Sequence, residues 1–503
     1  MGQISTSKRL AKNTVFMYIR MVLLMIISLY TSRVVLKELG VVDFGIYNLV
    51  GSVVTMFSAL RSLFSSSIQR FINYEMGKEN DERLRIVFNM GTIINVLLAV
   101  IFVLVIEIVG YWFFNNKINV DPSRIIAAKW VFQLSIISAV TSMLTTPYDA
   151  LIIAHERMNF YAIMAIVEGV LRLVIVFMLV ISPFDKLIFY AILQLIVSIL
   201  IRCINAIYCK QNFPESHYKK CWDKSLFKEM SSFAGWNFFG NMAYNLTNSG
   251  LNMVLNIFGG AAVNAARGIA YQINNATISF LSSMMIVINP YNTKNYASGS
   301  KDKFFAMFHF SSKIYFIVQL CMAIPLTYLT NEILFIWLKQ VPDFAIIFIQ
   351  LILVYSLIRA LHYPIDSLFK SAGKMKAYQI TEGIILSLPL LFSYLLLACG
   401  YPCYMLFVVM IIFEIINFVI VLNIAKKITN ISIKEYLLKV ALPCVLCLVI
   451  AVSGYVVNYL SIEGFLYRFS LSILVDIVCI FTMFFIGFSK NEQNQILSII
   501  KKK

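Results

Sequence analysis

The sequence predicts an all-α polytopic membrane protein with about fourteen transmembrane helices, built as two parallel six-helix repeats followed by two C-terminal helices. Three observations predict it. Of the 503 residues, 60% are hydrophobic and only 13% charged, and mean hydropathy is +0.81. That is too little charge to keep the surface of a soluble chain wet. The apolar residues fall in runs of about twenty, the length that crosses a bilayer as a helix. Finally, a set of uncommon residues recurs at one constant offset between the two halves.

The first run, 14–36, follows Lys8, Arg9 and Lys12. This opening resembles a secretory signal. The run continues past Val35 without a small-x-small cleavage site, so it reads as a retained helix. Further runs lie at 44–68, 87–113, 125–148, 160–182, 187–209, 229–257, 265–289, 305–329, 344–366, 377–398, 403–425, 437–459 and 467–488. They are too long, and alternate too little in polarity, to be the strands of a closed barrel.

Orientation follows from the basic residues. With the N-terminus inside, the inside segments hold Lys78, Arg83 and Arg85, then Lys210, Lys219, Lys220, Lys224 and Lys228, and end on Lys501 to Lys503. The outside loops offer only isolated cations such as Lys117 and Lys339. This asymmetry predicts a multi-pass protein of a bacterial cytoplasmic (inner) membrane with both termini cytoplasmic. The same arrangement argues against nucleic acid as the reason for the net charge of +17, because the cations sit in short clusters between apolar runs.

The outside loops are no longer than about 20 residues, which favours a transporter over a membrane transferase or polymerase and predicts a protein that is not an enzyme. A Gly-rich phosphate loop is missing, so ATP is not the expected driving force, and no cofactor is predicted. The lone C-x-x-C of Cys444 and Cys447 lies inside an apolar run and reads as packing. No His/Cys/Glu cluster has metal-ligand spacing.

The repeat rests on Pro147-Tyr148-Asp149-Ala150-Leu151 with Arg157-Met158, against Pro364-Ile365-Asp366-Ser367-Leu368 with Lys374-Met375. Gln133 and Gln350 share the offset, and Asn73-Tyr74 with Gly77 nearly matches Asn295-Tyr296 with Gly299. Six helices separate the copies, so both start from the same side of the membrane. The expected lobes are 1–210 and 211–426, with 427–503 adding two helices and a basic tail. Proline removes a backbone hydrogen bond, so Pro147, Asp149, Pro364 and Asp366 read as hinge or gate elements, or else as helix ends.

Several segments resemble Wzx-type polysaccharide flippases of the multidrug/oligosaccharidyl-lipid/polysaccharide (MOP) exporter superfamily. They are Ser28-Leu29-Tyr30-Thr31-Ser32-Arg33, Asp43-Phe44-Gly45-Ile46-Tyr47-Asn48, Gln69-Arg70-Phe71, Ala154-His155-Glu156-Arg157-Met158 and Phe213-Pro214-Glu215. The resemblance covers about the first three hundred residues well and the rest more loosely. It implies two six-helix lobes, alternating access and an undecaprenyl-pyrophosphate-linked oligosaccharide as cargo. It places the chain in O-antigen and lipopolysaccharide biosynthesis, among membrane lipids and beside the polysaccharide polymerase machinery. A proton or sodium gradient is the coupling it leaves open.

Charges within the apolar runs are the natural site candidates, because a charge at the bilayer centre must face water or a partner. Arg20, Arg61 and Arg267 suit a pyrophosphate, since guanidinium stays protonated and binds phosphate in a bidentate manner. Related flippases place cavity arginines on the first, second and eighth helices. The other reading is a structural ion pair. Asn237, Asn241, Asn245, Asn248 and Asn252 recur at spacings of four and three, which makes one helical stripe. They would line an aqueous cavity and bond sugar hydroxyls, or else bond neighbouring helices. Glu168 and Arg172 read as an intrahelical pair. Glu168, Glu382 and Glu414 are the candidates for ion coupling, with a paired or lipid-boundary acid the plainer reading of each. The competing function is a cation-coupled multidrug antiporter of the same superfamily, which would want an acidic, aromatic pocket.

Overall fold

The computed structural model describes residues 2–56, 58–116, 121–217, 219, 221–338, 341–460 and 464–500, and the regular structure among them is entirely helical. The side chains of 48–64, Arg61 included, and that of Arg33 lie outside the described residues. Eleven described segments are long and apolar enough to cross a membrane. Of the other three predicted spans, 44–68 lies largely outside the residues whose side chains are described, and 229–257 and 265–289 fall on helical stretches that carry more polar residues. This is a multi-pass, all-α membrane protein.

The chain divides into two compact units, Lys12–Ala234 and Gly235–Lys503 with Met1–Ala11. The first holds most of α1 (Gly2–Met56), then α2 (Ser58–Gly77), α3 (Asp81–Asn116), α4 (Ile125–Ala154), α5 (Met158–Ile181) and α6 (Lys186–Asn212). Its core is α4 packed on α6, α2 and α3, with Val131, Phe132, Phe102, Ile106 and Leu187 buried. Large apolar side chains such as Ile108 and Ile181 stay exposed, as a lipid-facing surface requires. At one end of the unit, Arg124 bridges Asp43 on α1 and Asp185, while Lys186 Nζ lies 2.9 Å from Glu38. Asp185 also caps α6, accepting from the amides of Leu187 and Ile188. Burial pushes the Asp185 carboxyl up, but Arg124 and the cap amides override this and hold it below the usual carboxylate range.

Most of α7 (Lys224–Ala297) belongs to the second unit, followed by α8 (Lys301–Tyr328), α9 (Thr330–Leu338), α10 (Ala345–Ala372), α11 (Met375–Ile385), α12 (Leu388–Ala398) and α13 (Met405–Thr429). Then come α14 (Ile433–Tyr436), α15 (Leu442–Leu460), α16 (Phe465–Thr482) and α17 (Lys490–Ile500). Two wide π turns, Leu437–Ala441 and Met483–Gly487, interrupt this last part. The predicted single span 377–398 is split into α11 and α12. Pro389 has no amide to donate, and its ring crowds the carbonyl four residues back, so the break falls just before it. The basic tail also carries a helix of its own. Ser489 and Glu492 form a reciprocal cap, with Glu492 Oε2 2.6 Å from the Ser489 amide, which starts α17.

The internal repeat is visible in the backbone. α1 and α7 are each broken once, at Gly40 (φ 77°, ψ 168°) and at Gly260 (φ 73°, ψ −173°), nearly the same conformation and one that only glycine adopts without strain. Helix starts then run in parallel: Asp81 with Lys301, Ile125 with Ala345, Met158 with Met375, and Lys186 with Met405. The turn after α4 passes through Glu156 in the left-handed region, and the turn after α10 through Gly373.

Candidate functional site

In the Lys12–Ala234 unit, a cavity of about 520 Å³ lies among α1, α4, α5 and α6. One wall is a stripe on α4: Ser135, Ser138, Ser142, Thr145 and Asp149, spaced three and four apart so that all fall on one face. The facing wall on α6 is Gln194, Ser198 and Asn205. The Ser138 and Ser198 hydroxyls are 2.8 Å apart, and Asn205 Nδ2 donates to Asp149 at 2.9 Å. Hydroxyls and amides on both sides of one space would be poor packing in hydrocarbon, so this space is built for water or a polar solute.

Three of the charges singled out in the sequence meet here. Arg20 comes from α1, Glu168 from α5 and Asp149 from α4. Glu168 is 2.6 Å from Arg172, the expected intrahelical pair. The Arg20 guanidinium lies over the Tyr161 ring, 5.0 Å from its centroid, and its buried Nε has no hydrogen-bond partner. No carboxylate among the described residues lies within ion-pair distance of Arg20. A second space of about 500 Å³ adjoins the first and shares Arg20, Tyr47, Glu168, Arg172 and Gln194 with it.

Arg267 occupies a different place, in the Gly235–Lys503 unit. Only 7% exposed, it reaches across the Gly260 break and donates to Asn252 Oδ1 at 3.1 Å and Asn248 Oδ1 at 3.3 Å, with its guanidinium 4.2 Å from the Tyr271 ring centroid. The asparagine stripe therefore divides. Asn248 and Asn252 hold the two arms of α7 together, Asn237 is buried, and Asn241 and Asn245 are exposed. An exposed amide at bilayer depth belongs beside water rather than lipid tails.

The acids Glu382 and Glu414, which the sequence could not pair, converge on α10. Arg359 Nη2 lies 2.5 Å from Glu382 and Nη1 3.3 Å from Glu414. His362, one turn along, sets Nδ1 3.4 Å from Glu414 and Nε2 3.2 Å from the Tyr378 hydroxyl. Glu414 and His362 are fully buried. Two carboxylates, one guanidinium and one imidazole thus share a site whose Glu414 and His362 are fully buried and whose Arg359 is partly exposed.

Neither Pro147 nor Pro364 ends its helix, since α4 continues to Ala154 and α10 to Ala372. Asp366 pairs with Lys370 one turn on, at 2.5 Å. Beyond α4, His155 stacks on Phe213, with 4.0 Å between ring centroids, and its Nε2 lies 2.5 Å from Glu215. Two short segments far apart in sequence thus form one clasp. Burial works to raise the Glu215 carboxyl, and the hydrogen bond with His155 overrides it and holds it below its ordinary value. Asp149 apart, the α4 and α6 polar walls were absent from the sequence-based candidates. The three–four spacing of Ser135, Ser138, Ser142 and Thr145 was the available signal, obscured because serine and threonine also occur in apolar helices bonded to their own backbone.

A family model described as polysaccharide biosynthesis protein matches residues 10–295, more than half the chain. No match was found among curated proteins. Among solved structures, a multidrug resistance MATE family transporter of the MOP superfamily, in an outward-facing conformation, superposes with a TM-score of 0.73 at 13% identity, covering 84% of this chain and 96% of its own. A MATE transporter in the bent conformation gives 0.71 at 13% identity, covering 86% and 98%. A MOP superfamily transporter from Pyrococcus furiosus, whose reversed binding-pocket polarity suggests a different function, gives 0.69 at 13%, covering 84% and 96%. The resemblance to Wzx-type flippases agrees with both the family match and the shared fold. The chain belongs to the polysaccharide biosynthesis protein family, and it shares the fold of MATE and other MOP superfamily transporters.

Proposed function

We propose that this transporter flips an undecaprenyl-pyrophosphate-linked oligosaccharide from the cytoplasmic to the periplasmic leaflet of a bacterial inner membrane by alternating access, with both termini cytoplasmic. The observation that carries this reading is Arg20. It is the cavity cation that no carboxylate among the described residues neutralises, and its Nε is unsatisfied inside a hydroxyl- and amide-lined space. A half-buried guanidinium with a spare donor suits a phosphate oxygen, and the serines, Gln194 and Asn205 suit sugar hydroxyls. A space of this volume takes the pyrophosphate and the adjoining sugar, while the polyprenyl tail stays in lipid.

The antiporter reading wants an unengaged acid for a cationic drug. Both cavity acids are engaged, Glu168 with Arg172 and Asp149 with Asn205. Pocket polarity is the property from which a different function was inferred for the Pyrococcus furiosus transporter, and here Arg20 is a lining cation without a carboxylate partner among the described residues.

Coupling is assigned to the proton rather than to sodium. Glu382, Glu414 and His362 are gathered around one guanidinium, that of Arg359. A sodium ion there would have to sit against the Arg359 guanidinium. The polysaccharide polymerase machinery is the partner expected to take the cargo onward.

The test is lipid-linked oligosaccharide in cells lacking this protein and any redundant flippase. Cytoplasmic accumulation should be cured by wild type. At equal protein level, Arg20→Ala should flip roughly 10–150-fold more slowly, the loss expected for a charge-assisted hydrogen bond of about 1.5–3 kcal/mol. Rescue by Arg20→Ala would reject the site, and absence of accumulation in the deletion strain would return the reading to the antiporter.

A further inference from the structure

A second polar cavity, of about 450 Å³, lies wholly within the Gly235–Lys503 unit and its N-terminal segment. Its lining shares no residue with the cavity of the Lys12–Ala234 unit. Its walls come from α8, the π turn Leu437–Ala441 and α17, with Leu10 at its edge. Three lysines face it: Lys303 from the first turn of α8, Lys313 three turns further, and Lys439 from the π turn. The one carboxylate in the lining is Glu492.

Those charges are not equally committed. Lys313 is all but buried, 2.6 Å from Glu492 and 3.1 Å from the Gly487 carbonyl, and its ammonium lies 5.2 Å from the Phe488 ring centroid. It fastens α17 to the end of α16. Gln493 Nε2 adds to this by donating to the Phe484 and Phe488 carbonyls at 2.7 and 3.0 Å. Lys439 has only an exposed partner, Glu435, at 3.5 Å, and a surface pair of that kind contributes little. Between the lysines lies His309, 8% exposed, whose buried Nε2 has no hydrogen-bond partner. In the tautomer that carries its proton on Nε2, this ring has a donor without an acceptor, in a cavity it shares with Lys303 and Lys439.

We infer that this cavity seats the phosphate of an anionic phospholipid headgroup. Lys303 and Lys439 would neutralise it and His309 Nε2 would donate to it, while Lys313 and Glu492 hold the wall in place. The cavity sits at helix ends, on the start of α8 and the start of α17, which is headgroup level rather than the hydrocarbon core. Side-chain cations beside a spanning helix are the usual recognition elements for acidic lipids. In the predicted orientation this is the cytoplasmic leaflet. The lipid would pin α17 across the ends of α8 and α15.

The experiment uses the full chain in zwitterionic lipid nanodiscs or matching micelles. Thermal unfolding is followed while phosphatidylglycerol, phosphatidylcholine or inorganic phosphate is titrated in. Saturable stabilisation by phosphatidylglycerol alone is expected. Lys303→Gln and Lys439→Gln should each weaken it about fivefold, and the double variant roughly twentyfold or more. His309→Phe should weaken it as well, without lowering the melting point in the absence of lipid. Because both lysines are surface residues, those variants fold whatever happens at His309. Equal stabilisation by phosphatidylcholine, equal stabilisation by inorganic phosphate, or double-lysine variants that respond like wild type would each overturn the assignment.

Discussion

Removing the Arg359 charge should be far more damaging than removing either of the acids it holds. Arg359 is the one permanent cation of a site with two carboxylates, 2.5 Å from Glu382 and 3.3 Å from Glu414. In Arg359→Met, both acids stay buried, Glu414 completely, with only His362 near them. Breaking a buried pair by deleting one partner costs about 3–5 kcal/mol, because the survivor keeps its desolvation penalty. In Glu414→Gln the Arg359–Glu382 pair survives intact and neutral, and the loss is one hydrogen bond of about 1 kcal/mol. Replacing all three together as Met, Gln and Gln leaves no buried charge and should recover most of the deficit. The assay is thermal unfolding of the purified protein in one detergent, read by the amount of monodisperse material after heating. At about 2 °C per kcal/mol, the Met variant should melt roughly 5–10 °C lower and the Gln variant within about 2 °C of wild type. Equal losses in the two single variants, or no recovery in the triple variant, would refute the charge accounting. Since Glu414→Gln is expected to fold, it is also the variant in which loss of proton-driven flipping can be read without a stability artefact.

Two further outcomes follow from the backbone and the clasp. Gly260→Ala places a side chain at φ 73° with an extended ψ, which should cost about 1–3 kcal/mol through backbone strain alone, because nothing lies within 4 Å of the new Cβ. Gly40→Ala should behave alike, and a glycine-to-alanine change that left melting unaltered at both would reject strain as the reason for glycine there. Glu215 is held below its ordinary value, so its contribution to stability is fully present above the unfolded value of about 4.3 and is lost as pH falls through the lower folded value. Wild type should therefore lose more stability than His155→Ala between pH 5 and pH 3, measured by the same melting assay, and parallel pH curves would show that the clasp adds nothing.

The sequence alone determined the class of the molecule and its internal symmetry. Run length and scarcity of charge require spanning helices, since backbone groups in lipid must bond within their own segment. The recurring Pro-x-Asp motif announced the repeat that Gly40 and Gly260 then display in the backbone. Arg20, Glu168 and the glutamates of the second half were legible as candidates because a charge in an apolar run is conspicuous. Their neighbours were not, because ion pairs and cavity walls join residues brought together by helix packing rather than by spacing. Arg359 meets Glu382 and Glu414 from three different helices, and His155 meets Glu215 across two. Tertiary structure also decided which arginine is spent and which is available. Arg267 donates from both terminal nitrogens to Asn248 and Asn252 across a glycine break, its Nε alone left over, while Arg20 has neither a hydrogen-bond acceptor nor a carboxylate partner among the described residues of its polar cavity. Residue type and periodicity are alike for the two, and what separates them is whether the fold places an acceptor within about 3 Å of the guanidinium.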